Sequence, residues 1–153
     1  MSDYPVQTIG RASDTARPVL EQVQKAFGLV PNIAGAMANS PELVKGFWGL
    51  FQQVHAGTFT EAEIQTLLLT NAVTNASAWA VAFHTMLALK EGVDAADVTS
   101  IRAGRSPADA RLAALSNYAR NLIETRGHAD EKVLNDFMKA GFSRAQKIGR
   151  AHV

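Results

Sequence analysis

The chain has 153 residues, of which 47% are hydrophobic and 19% are charged, so it is long and apolar enough to bury the core of one domain. Its 15 basic and 14 acidic residues leave a formal charge of +1. This balance argues against a nucleic-acid-binding protein, because neutralising phosphates requires an excess of cations. Cysteine is absent, which excludes disulfides, thiolate metal sites and thiol catalysis by this chain alone.

Neither a membrane span nor a secretion signal is apparent. The longest uninterrupted apolar run covers residues 78–83, whereas a membrane-spanning helix needs about 20 residues. The first residues, MSDYPVQTIG, lack the basic and then apolar segments of a signal peptide. We therefore expect a soluble, cytoplasmic protein whose partners include neither nucleic acid nor membrane.

Helix start and stop signals recur along the whole chain, and no period-2 alternation lasts long enough to predict a strand. Short connections between the helices favour one all-α bundle. The predicted helices run from Val19 to Phe27, from Ser40 to about Ala56, from Thr60 to Asn75, from Ser77 to Glu91, from Asp94 to Gly104, from Ser106 to Arg126 and from Asp130 to Ala140, and one more begins at Ser143.

Three of these start signals have a clear physical basis. Ser40-Pro41-Glu42 combines an N-cap oxygen, a proline where no amide hydrogen is needed and an acid near the positive helix end. Ser106-Pro107 repeats the first two features. Thr60 and Glu63 have the spacing of a capping box, in which each side chain accepts a hydrogen bond from the other residue's backbone amide.

The two helices between Ile64 and Leu89 are apolar on nearly every face, as LLLTNAV and SAWAVAFHTMLAL show. A helix without a polar face is buried on all sides. In a small domain it is then either central or covered by another subunit. The pattern therefore predicts a homo-oligomer.

His84 is the strongest candidate for chemistry, because a buried imidazole can act as a general base or a proton relay near neutral pH. The alternative is a core histidine whose nitrogens have found hydrogen-bond partners. Ser77 and His84 lie two helical turns apart, about 10 Å, so direct nucleophile–base pairing is disfavoured and Ser77 is interpreted as a helix N-cap.

The remaining candidates have simpler structural explanations. His55 and His128 are expected to be exposed, and Trp48 and Trp79 are expected to pack. No ligand spacing typical of zinc and no glycine-rich phosphate loop is present, so we expect neither metal nor cofactor.

The stretch TEAEIQTLLLTNAVTNASAWAVAFHTMLALKEGV resembles the core of the carboxymuconolactone decarboxylase and alkylhydroperoxidase D (AhpD-like) superfamily. FGLVPNIAGAMANSPELVKGF resembles the N-terminal segment of that family, and GFSRAQ resembles the start of its next helix. The resemblance extends from about Pro18 to Gln146. It implies an AhpD-like helical bundle, and we expect one such domain over residues 1–147.

Redox-active members of this family carry Cys-x-x-Cys-x-x-x-His at the start of the second core helix and a glutamate twelve residues before the first cysteine. The matching positions here are Ser77 and Ala80 for the two cysteines, Gln65 for the glutamate and His84 for the histidine. Glu63 is two residues away from the glutamate position and is expected to point elsewhere. The resemblance therefore implies a degenerate site without thiol-dependent peroxidase activity.

Two functions remain open. The first is a binding or structural homo-oligomer with an apolar, small-molecule pocket near His84. The second is an acid/base enzyme resembling the lactone decarboxylases, which need no cysteine pair, with His84 moving a proton on a small organic acid. Such an anionic substrate requires an arginine, and Arg102, Arg105 and Arg111 are available.

The last six residues, IGRAHV, are polar where family members continue with an apolar helix. They also match one reading frame of a widely used sequencing adapter. We expect residues 148–153 to be a non-native tail.

Overall fold

The structure, a computed structural model, describes residues 4–149. Regular structure in this range consists of nine α-helices and no strand, which confirms the all-α prediction. The helices are α1 Arg17–Phe27, α2 Asn32–Met37, α3 Pro41–His55, α4 Glu61–Thr74, α5 Ala78–Lys90, α6 Ala95–Arg102, α7 Ala110–Glu124, α8 Glu131–Lys139 and α9 Arg144–Gly149.

Contacts within the chain form two compact units, Met1–Ala56 and Gly57–Val153. Helices α1–α3 belong to the first unit and α4–α9 to the second. The single domain over residues 1–147 stays a prediction. Residues 150–153 of the predicted tail lie outside the described residues, whereas the backbone of 148–149 completes α9.

The first unit is held together by α1, α3 and an extended N-terminal arm. The buried face of α1 packs in one cluster with Val44 and Trp48 of α3, so the expectation that Trp48 packs is correct. The backbone N–H of Gln7 donates to the carbonyl of Gly35 at 3.0 Å. A Cβ at Gly35 would lie 2.6 Å from the Gln7 carbonyl oxygen, so this approach of arm to helix requires glycine.

Helix α2, which contains Gly35, was missed by the sequence prediction. It has only 6 residues, and its N-cap position, Pro31, makes no side-chain capping bond. A helix this short gives neither a periodic apolar pattern nor a start signal that sequence reasoning can detect.

Helix α4 is the centre of the second unit and contacts α5, α6 and α7. The predicted capping box is present: Thr60 Oγ1 accepts from the Glu63 amide at 3.2 Å, and Glu63 Oε2 accepts from the Thr60 amide at 2.9 Å. Thr70 Oγ1 pairs with Ser116 of α7 at 2.9 Å. The hydroxyl of Thr66 is buried without a hydrogen-bond partner among residues 4–149, which costs about 1–3 kcal/mol.

The start of α7 corrects the sequence prediction, because Ser106-Pro107 does not begin the helix. Asp109 is the N-cap, and its carboxylate accepts from the Leu112 amide at 2.8 Å. The loop before it is held by Asp97, a buried residue of α6 whose carboxylate accepts from the amides of Ala108 and Asp109. A contact between residues this far apart in the chain outweighs the local start signal.

Helix α5 is less buried than its apolar sequence predicts. Only Ala88 of this helix is buried, whereas Trp79 and Met86 are each 58% exposed and Leu89 is 46% exposed. The expectation that Trp79 packs is therefore wrong for most of its surface. Its ring does stack on that of Phe83, with the ring centroids 5.1 Å apart. Of the two predicted apolar helices, α4 is buried at the centre and α5 keeps an exposed apolar face.

None of the helices in residues 4–149 combines the length and the apolar character that crossing a membrane requires.

Candidate functional site

Helices α4 and α5 place two of the predicted site residues in contact. Gln65 is buried at 5% exposure on α4, and its Oε1 lies 3.0 Å from Nδ1 of His84 on α5. The turn between the helices sets this register. Ala76 takes the left-handed conformation with φ of 53°, while the Ser77 amide donates to the Ala72 carbonyl at 2.9 Å.

This turn has the hydrogen bonds of a Schellman motif, with the Ala76 amide donating to Val73 as the second bond. Glycine usually occupies the left-handed position, because a Cβ there costs roughly 1 kcal/mol. Ala76 adopts this conformation despite the cost, and α5 begins two residues later in the reverse direction. The reversal brings His84 back beside Gln65.

The hydrogen bond fixes the tautomer of His84. A carboxamide oxygen can only accept, so Nδ1 carries the hydrogen and donates to Gln65 Oε1. The other nitrogen, Nε2, then holds a lone pair, and it has no hydrogen-bond partner among residues 4–149. The ring of Phe83 lies edge-on to the imidazole with centroids 5.2 Å apart.

Burial lowers the pKa of His84 to about 4, since desolvation disfavours the imidazolium. Gln65 cannot offset this shift, because a neutral amide provides no charge to attract the proton. His84 is therefore neutral at pH 7 and is a weaker base than the sequence predicted. It can accept a hydrogen bond through Nε2, but it holds no proton to donate from that atom.

Ser77 and Ala80 lie at the start of α5, and neither side chain takes part in the Gln65–His84 hydrogen bond. Ser77 is exposed and occupies the predicted N-cap position, yet its side chain makes no capping hydrogen bond, so that part of the interpretation is wrong. Ala80 is half-buried and offers only a methyl group. The structure thus brings together Gln65 and His84 but not Ser77.

Glu63 is bonded to Thr60 and Arg111 and not to His84. Besides capping α4, its Oε1 accepts a hydrogen bond from Arg111 Nε at 2.6 Å. Arg111 also donates to the Ala140 carbonyl at 2.7 Å and lies 3.9 Å from the ring centroid of Phe142. Sequence reasoning missed this pair, because 48 residues separate its members and no local motif links them.

Within residues 4–149, the hydrogen bond between Gln65 and His84 includes none of the other candidate arginines and histidines. Arg111 is bound to Glu63, while Arg102 and Arg105 are exposed, and none of these three is hydrogen-bonded to His84. His128 is exposed as expected, but His55 is half-buried and its ring lies 4.0 Å from that of Phe51. In the part of the chain from 4 to 149, no cluster of three potential metal ligands occurs.

A surface cavity of about 490 Å³ lies in the second unit, between α8 and α9. Its lining contains none of the predicted site residues Gln65, Ser77 and His84. The small-molecule pocket near His84 stays a prediction. The cavity is lined by Leu134, Asn135, Met138, Arg144 and Lys147.

Neither a protein-family model nor a curated protein sequence matches the chain. Solved structures do match it. An AhpD-core, uncharacterised peroxidase-related protein from Ralstonia eutropha JMP134 is 18% identical with a TM-score of 0.83, over 97% of this chain and 80% of that one. A cysteine-to-alanine variant of the debrominase Bmp8 with bound 2,3,4-tribromopyrrole is 17% identical with a TM-score of 0.79, over 99% and 82%.

The apo form of Bmp8 is also 17% identical, with a TM-score of 0.72 over 91% of this chain and 76% of that one. These similarities confirm the AhpD-like helical fold. At sequence identities this low, structural similarity shows a shared fold but does not show a shared activity.

The pKa of His84 predicts how stability depends on pH. The unfolded chain titrates near 6.5 and the native site near 4, so between these values the unfolded state holds more protons. The native state should therefore lose stability as the pH falls from 6.5 toward 4. Urea unfolding of the His84→Gln variant should show a smaller loss between pH 7 and pH 5 than wild type.

The titration itself can be followed by the NMR signal of the His84 ring, assigned by its absence in His84→Gln. We expect its midpoint near pH 4. A midpoint near 6.5 in the folded protein would contradict the neutral, desolvated imidazole.

Proposed function

Because the chain has the AhpD-like fold, we propose that it is an AhpD-like protein without thiol-dependent peroxidase activity, acting as a binding or structural homo-oligomer. The observation that supports this best is the chemistry at the matched positions. A hydroxyl and a methyl stand where the resemblance requires two thiols, at Ser77 and Ala80, and His84 is bound to the neutral amide of Gln65.

Peroxide reduction by this family needs a thiolate that attacks the O–O bond and becomes a sulfenic acid. A second thiol then displaces water to form a disulfide. Serine and alanine can do neither step. The proton relay is also incomplete, because Gln65 cannot exchange a proton and the pKa of His84 is lowered to about 4.

The first test is hydroperoxide consumption in the presence of a dithiol reductant of the lipoyl or thioredoxin type. Wild type should remain at the buffer background. The double variant Ser77→Cys/Ala80→Cys should gain an oxidisable pair at the start of α5, seen as loss of two titratable thiols after peroxide treatment.

The matched control is Ser77→Ala/Ala80→Ser, which changes the same two positions without adding sulfur. Peroxide turnover by wild type above the background would refute the proposal. Adding Gln65→Glu to the cysteine pair tests whether a carboxylate beside His84 increases the rate.

A second candidate function is an acid/base enzyme of the lactone decarboxylase type, acting on a small organic acid. The unpartnered lone pair of His84 Nε2 favours it, because this atom can accept a proton or a hydrogen bond from a ligand. The related debrominase Bmp8 holds a tribromopyrrole, so a protein of this fold does bind a small ring compound. The lowered pKa of His84 favours hydrogen bonding over proton abstraction.

We expect a thermal-shift screen of small organic acids and pyrrole-like heterocycles to yield compounds that stabilise wild type. For at least one of these compounds, that stabilisation should disappear in His84→Gln and persist in His128→Gln, which alters an exposed histidine. Turnover of a stabilising compound would favour the enzyme, whereas binding without turnover favours the binding protein. If the stabilisation by every such compound survives His84→Gln, His84 is excluded as a ligand contact.

The oligomer is supported by the α5 apolar face, which comprises Trp79, Ala82, Met86 and Leu89. These residues recur at helical spacing and are all exposed in the isolated chain. Contiguous exposed apolar surface of this kind is typical of protein interfaces. We propose that a second copy of the chain covers it.

Sedimentation should therefore give a mass above the 16.4 kDa of one chain. The variant Trp79→Glu/Met86→Glu should shift the protein toward monomer, because burying two carboxylates in an apolar interface is unfavourable. The variant His128→Glu/Lys139→Glu adds acids at two exposed positions outside that face and should leave the mass unchanged. A monomeric wild type at micromolar concentration would refute self-association through this face.

A further inference from the structure

We propose that the α8–α9 cavity binds a small monocarboxylate with an apolar body, at a site separate from His84. The cavity measures about 490 Å³, which lies within the roughly 300–1,000 Å³ of small-molecule sites. Its lining consists of two apolar side chains and Asn135 on α8 and of two basic side chains on α9. This division matches a ligand with an apolar body and one anionic end.

The apolar part consists of Leu134 and Met138. They are one helical turn apart on α8, so their side chains lie side by side on one face. Both are half-buried, which leaves part of each side chain available for contact. Met138 is flexible and polarisable, and such a side chain adapts to ligands of differing shape.

The basic part consists of Arg144 and Lys147, which lie three residues apart on α9 and therefore share a face. Neither side chain forms an ion pair or hydrogen bond with any of residues 4–149. No acidic residue lines the cavity. Asp136 of α8 is bound to Lys132 at 2.8 Å and does not line it either.

Two cations without a partner among residues 4–147, placed beside apolar side chains, favour a monocarboxylate over a neutral molecule or a small inorganic anion. The planar guanidinium of Arg144 can hold both oxygens of a carboxylate, and Lys147 adds a second positive charge. A neutral apolar molecule would desolvate the cations without compensating them. A small inorganic anion would leave Leu134 and Met138 uncovered.

Octanoate is a suitable probe, used below the concentration at which it forms micelles. Titration of the full chain, followed by calorimetry and by amide chemical shifts, should show saturable binding with shifts concentrated in α8 and α9. Octanol, which has the same apolar body without the charge, should bind at least tenfold more weakly.

The variant Arg144→Gln/Lys147→Gln should weaken octanoate binding at least tenfold while keeping the wild-type circular dichroism spectrum, because neither cation pairs with another described residue. The matched control Arg102→Gln/Arg105→Gln removes two exposed cations of the α6 region and should leave the affinity unchanged. The variant Met138→Asn should weaken octanoate more than acetate.

His84→Gln separates this site from the one proposed above. Octanoate should bind this variant as it binds wild type, and loss of binding would move the carboxylate to His84 and overturn the proposal. Absence of saturable binding, equal binding of octanol, or undiminished affinity in Arg144→Gln/Lys147→Gln would overturn it as well.

Discussion

The carboxylate of Glu63 holds together four parts of the second unit. One oxygen caps the start of α4, and the other binds Arg111 of α7 at 2.6 Å. Arg111 extends the link to the carbonyl of Ala140 at the end of α8 and to the ring of Phe142 before α9. Because Glu63 is buried, its charge would be costly without this partner, so the cap, the ion pair and the helix packing depend on one another.

Because Glu63 is used in these structural contacts, its carboxylate does not pair with the imidazole of His84. The buried carboxylate of α4, Glu63, is occupied by structural contacts, and the residue hydrogen-bonded to His84 is an amide. Desolvation then acts on the imidazole without a compensating charge, which lowers the pKa of His84. The AhpD-like fold is thus combined here with a neutral amide hydrogen-bonded to a neutral imidazole.

Two surfaces of the second unit have chemistry that its internal packing does not use. The α5 apolar face exposes Trp79 and Met86 on a helix whose sequence predicts burial. The cavity beside α9 places Arg144 and Lys147 next to apolar side chains of α8. Both expose groups that a partner or ligand could desolvate, and neither includes a residue of the Gln65–His84 pair.

The sequence by itself determined the all-α class, most helix ends and the capping box at Thr60 and Glu63, because these depend on interactions within one or two turns. Family resemblance added the fold and the pairing of position 65 with His84. Only the tertiary structure decided the start of α7, where Asp97 holds the preceding loop, the Glu63–Arg111 pair and the exposure of α5. Each depends on residues brought together across the chain, and no local pattern encodes the free energy of such contacts.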